Sequence, residues 1–165
     1  MKSLPFFTFL TCIVLGGCST PNATPATSTG DSGPRVVYSG GGVAELKRLE
    51  GKRMREIQIW DAEDMKVRLG KLLGDDFEAF KQEWVIESPI TVDGDVLMMA
   101  GCDWHNNCDQ NQYVMFVDTV NDNINVLHFK DGKEKAYREK GDIALPEKFA
   151  EGLTGIKAKC GVKAA

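Results

Sequence analysis

Val96-Leu97-Met98-Met99-Ala100-Gly101-Cys102-Asp103-Trp104-His105-Asn106-Asn107-Cys108-Asp109-Gln110-Asn111-Gln112-Tyr113-Val114-Met115-Phe116-Val117 places two apolar runs on either side of a polar segment bounded by cysteines. Runs of this length, rich in β-branched, aromatic and methionine side chains, read as strands at 96–100 and 113–117. The segment between them is then a loop joining antiparallel neighbours, with Trp104 and His105 at its tip.

The strand pattern extends outward in both directions. Upstream, residues 85–92 form a further run, and Asp93-Gly94 is the tight-turn signal that folds it onto 96–100. Downstream, Asn121-Asp122-Asn123 and Asp131-Gly132 punctuate strands at 124–129 and near 135–137. The expectation is an antiparallel meander of about five strands. Helical periodicity flanks it. Asp61 reads as the N-cap of a helix to Leu73, with Met65, Leu69, Leu72 and Leu73 on one side and Gly74 as its stop. Asp75 or Asp76 starts a second, in which Phe77, Phe80 and Trp84 fall at i, i+3 and i+7. Core packing explains that stripe, and a sugar-binding surface is the competing reading. Pro146 opens a final helix containing Phe149 and Leu153, and a further helix is expected at 43–49. The predicted class is α+β: helices on one face of the sheet, with the cysteine loop protruding from its edge.

The amino terminus bears on redox compartment. Lys2 precedes a largely apolar stretch at 4–15, too short to span a bilayer and suited to a secretory signal. It runs into Leu15-Gly16-Gly17-Cys18, which resembles the bacterial lipobox; an ordinary signal peptide followed by a structural cysteine is the alternative. The division expected is a signal peptide at 1–17, a lipidated (palmitate-bearing) Cys18 with a Ser-, Thr- and Pro-rich tether at 18–34, and one domain at 35–165. Ser19 after the lipid-bearing cysteine resembles an outer-membrane sorting signal, so the expected location is the cell envelope, lipid-anchored and facing the periplasm.

Of the five cysteines, Cys12 leaves with the signal and Cys18 takes lipid, which leaves Cys102, Cys108 and Cys160. The nearest pairing joins Cys102 to Cys108 and leaves Cys160 as a free or intermolecular thiol; pairing of Cys160 with either of the others remains open, since connectivity is not readable from sequence. A ring closed from 102 to 108 restricts the unfolded chain by about 2.4 kcal/mol on the loop-entropy formula. It also presents a loop that loses less entropy on docking. Zinc is the chemical competitor: Cys102, His105 and Cys108 at two-residue intervals, completed by Cys160 or Asp109, have the composition of a tetrahedral site if the sulfurs stay reduced. A cysteine nucleophile with His105 as base lacks an orienting third group and an oxyanion pocket. Gly40-Gly41-Gly42 lacks the Lys-Ser or Lys-Thr of a phosphate loop. Lys2 is lost with the signal, so 20 basic and 24 acidic residues become 19 and 24. A balance of about −5 disfavours nucleic acid and favours a basic partner. His128, among Val126, Leu127 and Phe129, reads as a strand residue, and Asp103 and Asp109 as turn formers.

On Cys102, His105 and Cys108, with strands on both sides and Ser88-Pro89-Ile90 upstream, the chain over roughly 61–137 resembles the Ivy family, inhibitors of vertebrate lysozyme. Their loop reads Cys-Lys-Pro-His-Asp-Cys. The resemblance implies a disulfide-closed loop inserted into the active-site cleft of lysozyme or a related peptidoglycan hydrolase, with His105 on the catalytic carboxylates. Asp103, Trp104, His105, Asn106 and Asn107 are then the target-binding residues, and neither catalytic residues nor a cofactor or metal are expected. Here the loop has one more residue after the histidine, Asp103 in place of Lys and Trp104 in place of Pro. The second reading is an immunity protein against a wall-degrading toxin. The sequence does not give the oligomeric state.

Overall fold

The computed structural model describes residues 37–103, 105 and 108–163. The expected signal peptide, Cys18 and the tether lie outside these residues, as do Trp104, Asn106 and Asn107.

Among the described residues, β1 (Ile86–Glu87), β2 (Thr91–Asp93), β3 (Val96–Cys102), β4 (Asn111–Asp118), β5 (Asn123–Lys130) and β6 (Lys133–Arg138) form one antiparallel sheet. Its order is β1-β3-β4-β5-β6, with β2 also pairing along β3. Helices α1 (Glu63–Leu73), α2 (Phe77–Glu83) and α3 (Glu147–Lys159) complete it. The α+β class and the antiparallel meander therefore hold, with six strands.

The sixth strand arises because the run at 85–92 is broken. Pro89 has no N–H to give to a ladder. Ile90 turns inward, fully buried, and exchanges backbone bonds with the 51–52 segment instead: Gly51 N–H to Ile90 O at 2.8 Å and Ile90 N–H to Lys52 O at 2.8 Å. The chain returns to β3 as β2, and the two-residue turn falls on Gly94-Asp95, one position beyond the expected Asp93-Gly94. Gly94, at φ 60°, supplies the left-handed backbone at the first central position.

The expectation of helices on one face is corrected. Period-two alternation divides the sheet cleanly: Leu97, Met99, Tyr113, Met115, Val117, Ile124 and Val126 face one core. Val96, Ala100, Val114, Phe116, Leu127 and Phe129 face a second, which α3 covers with Phe149 and the residue after the helix with Cys160. Strands apolar on both faces need cover on both. The near-continuous apolar runs of β3 and β4 carried that signal.

Local starts also differ. Helix α1 begins at Glu63, and Asp61 instead closes a 3-10 turn, Ile59–Asp61. Met65, Leu69 and Leu73, four residues apart, form the buried side of α1, while Glu63 and Asp64 sit at its positive end. The expected helix at 43–49 is 3-10 in form over Val43–Leu49. Val43, Leu46 and Leu49 are spaced by three and all buried, which matches three residues per turn. Phe77, Phe80 and Trp84 are buried in the first core, so the aromatic stripe is packing and not a sugar platform.

Candidate functional site

The loop at 103–110 leaves β3 and returns on β4, two strands in the interior of the sheet order. It therefore joins the ends of two strands in the interior of the sheet order, not at a lateral edge. Cys102 and Cys108 are joined, with their Cα atoms 5.3 Å apart. Cys102 is the last residue of β3 and is buried; Cys108 lies in a turn and is half-buried. With both sulfurs in one bond, neither offers the thiolate that the zinc reading requires. Cys160 is a free, buried thiol whose sulfur lies 3.9 Å from the Cys108 carbonyl oxygen. Burial, with Asp109 adding to it, pushes that thiol up and away from reactivity.

His105 is exposed on this loop, and its backbone N–H donates to the Asp103 carboxylate at 3.0 Å. A bond from an Asp carboxylate to the N–H two residues on is of the Asx-turn type. The turn-former reading of Asp103 is thus seen in its bond. Asp109 is exposed in the turn that follows Cys108.

Two different supports hold the feet of the loop. Under the first, the Trp84 ring lies flat against Gly101, the residue before Cys102. A Cβ there would come within 2.3 Å of the ring, so only glycine fits. Trp84 belongs to a cluster of edge-on aromatics with Trp60, Phe80 and, through Phe80, Tyr113, with ring centroids 5.0–5.7 Å apart. Arg55 fixes the backbone at Trp84 by donating twice to its carbonyl, at 3.0 and 2.8 Å. The Val85 N–H then donates to the Cys102 carbonyl at 3.0 Å.

Under the second foot is a polar hub centred on Glu83, at the end of α2. Asn111 Nδ2 and the Tyr113 hydroxyl both donate to Glu83 Oε2, at 3.1 and 2.8 Å, and Lys130 Nζ lies 3.7 Å from Oε1. Since the Asn111 nitrogen is committed to Glu83, its Oδ1 accepts from His128 Nε2 at 2.7 Å, which sets the proton on that ring nitrogen. His128 also stacks on Tyr113, centroids 3.9 Å apart and planes 12° from parallel. Burial holds His128 below the usual histidine range, with the Glu83 charge opposing. Burial and the Glu83 carboxylate push the Tyr113 hydroxyl far up. His128 is thus a strand residue with a structural duty next to the loop. Glu83 and Asn111 were not singled out from sequence, and no short motif marks a helix-end carboxylate that meets a strand 28 residues later.

Away from the loop, Arg68 of α1 clamps the β4–β5 and β6 ends of the sheet, donating to both oxygens of Glu139 (2.6 and 2.7 Å) and to Asp122 Oδ1 (2.7 Å). Asp76 accepts from Lys135 and Tyr137, at 2.7 and 2.8 Å, which hold its carboxyl below the usual range. Glu45 is buried, yet N–H groups of Gly41 and Ser39 and the Ser39 hydroxyl outweigh the burial and keep it low. These bonds account for the polar groups they join as structure.

Among the described residues, the sheet of this α+β domain carries a disulfide-closed connection between β3 and β4 on which a histidine is exposed. The model of the family Inhibitor of vertebrate lysozyme (Ivy) matches residues 64–159, and the chain belongs to that family. No curated protein and no solved structure matches it. The family inhibits lysozyme, and its members are inhibitors, not enzymes.

Proposed function

We propose that this chain inhibits a c-type lysozyme or a related peptidoglycan hydrolase by inserting the 102–108 loop into the active-site cleft. His105 contacts the catalytic carboxylates, and Asp103, Trp104, Asn106 and Asn107 complete the contact. The observation that carries this reading is the exposed His105 on a loop closed by Cys102–Cys108 at the end of the central strands. Glycosidases of this type set two carboxyl groups across a cleft. An imidazole in its protonated form donates from both nitrogens, so it can bridge such a pair through charge-assisted bonds. Carboxylates held in this way cannot act as acid and nucleophile. The disulfide limits the freedom lost on docking.

The lipobox-like Leu15-Gly16-Gly17-Cys18 and the polar stretch that follows support a lipid anchor at Cys18 in the cell envelope, facing the periplasm. There the protein stands between incoming hydrolase and the wall. Cell-wall lysis by lysozyme, followed at increasing concentrations of the intact protein, tests the inhibition. The expected result is inhibition that is relieved by an oligosaccharide occupying the cleft; lysis unaffected at micromolar inhibitor removes lysozyme as the target. Mass analysis of the mature amino terminus tests the anchor, with a diacylglyceryl adduct on Cys18 expected.

A further inference from the structure

We propose that the α3 side of the sheet carries a second binding site, a pocket for a small neutral molecule with an apolar body and one hydroxyl, of about the size of phenol. A cavity of about 150 Å³ opens between the faces of β4, β5 and β6, the carboxyl half of α3 and the segment that follows β6. Phe116, Leu127, Ile143 and Leu153 give it apolar walls. That volume matches the apolar cavities known in other proteins to take a single benzene-sized ring.

The polar feature of this wall is Asn125. It is 6% exposed, and its Oδ1 is shut off from solvent without a hydrogen-bond partner. Buried amide oxygens are almost always paired, and this one gains access to the cavity only when the amide turns. The amide torsion is broad and two-fold, so either its oxygen or its NH2 can turn toward the space. A hydroxyl both donates and accepts and suits either orientation.

The charges at the mouth are matched to one another. Arg138 is paired with Asp142, and Lys157 Nζ with Glu134 Oε2 at 2.8 Å, so these rim charges are already matched. An anionic or cationic ligand would have to break a pair to enter. The pocket is also separate from the loop: Phe116 and Asn125 face each other five pairs along the β4–β5 ladder from Asn111 and Lys130, about 17 Å at the usual rise per residue. Occupancy therefore does not compete with a hydrolase bound at His105.

NMR titration of the intact protein with phenol and, in parallel, with benzene tests this. The expected result is saturable, millimolar shifts of the Leu127, Ile143 and Leu153 methyls and of the Asn125 side-chain amide with phenol, benzene binding more weakly. Asn125→Val should weaken phenol roughly tenfold while leaving benzene unchanged, one hydrogen bond's worth of discrimination. Leu153→Phe, which fills the space from α3, should abolish both and serves if the Asn125 variant does not fold. Shifts that are absent, unsaturable or scattered over the surface overturn the proposal. So do equal affinities for phenol and benzene in the parent protein, or Leu153→Phe leaving the phenol response unchanged.

Discussion

The two feet of the loop stand six residues apart in sequence and are joined by one bond, yet they are held by different physics. Cys102 is anchored by the sheet and by an aromatic plate: it pairs with Ile86 and Gln112, and Gly101 beside it carries the Trp84 ring. Cys108 sits in a turn, and its strand begins at a buried amide, Asn111, tied to Glu83 and His128. The first support is chiefly steric and owes less to pH and salt, although Arg55 donates to the Trp84 carbonyl within it. The second is made of hydrogen bonds to a carboxylate and an imidazole, so it responds to both. A loop that must keep one shape gains from that pairing, because conditions that weaken one foot leave the other in place.

The largest effect on inhibition is expected from uncoupling the feet. Cys102→Ser with Cys108→Ser, or reduction, should lower stability by about 2.4 kcal/mol. It should weaken lysozyme inhibition far more, since the free loop must be ordered on binding; denaturant melts and inhibition curves on the same samples separate the two. Inhibition unchanged after reduction would break the comparison altogether. Next is the steric foot. Gly101→Ala drives a Cβ into the Trp84 ring and should cost up to about 3 kcal/mol, as overpacking of a tight core does. Removing the hub comes third. Glu83→Ala leaves the Tyr113 hydroxyl and the Asn111 amide unpaired, about 1–3 kcal/mol by denaturant melt, with greater hydrogen exchange at 110–112 than at 100–102.

The smallest effect is that of pH on the polar foot. His128 has a folded-state pKa below its unfolded value, so the unfolded chain binds its proton first on acidification. Its contribution to stability is complete above about pH 6.5, the unfolded value, and is lost as pH falls from there through the folded one. His128→Phe, which keeps a ring on Tyr113, should flatten that part of the stability curve. If the slope persists in the variant, His128 is not its source.

Much of this was legible in the chain, for identifiable reasons. The central strands announce themselves at 96–100 and 113–117, where every residue is apolar and the two faces meet two cores; their polar ends at 111–112 and 118 do not. Gly74, Gly94 and the Asp131-Gly132 turn carry positive φ angles that few residues adopt, so they punctuate the sequence visibly. The second layer was missed because α3 places only Phe149 fully in the core and leaves Leu153 and Ile156 half-buried, a weak stripe for assigning a face. Asp61 misled because a capping residue type also suits a 3-10 turn. In the site, the spacing of Cys102, His105 and Cys108 is local and readable. The Glu83 hub is not, because its members come together only through the register of β4 with β5 and the docking of α2.

The central claim, that the closed loop inhibits through His105, is tested most directly by the inhibition constant of His105→Ala against lysozyme, with the thermal midpoint and the Cys102–Cys108 bond verified intact. The account predicts a loss of inhibition of roughly 30-fold or more, the equivalent of about 2 kcal/mol for a charge-assisted contact removed from an interface. Full inhibition by His105→Ala would contradict it.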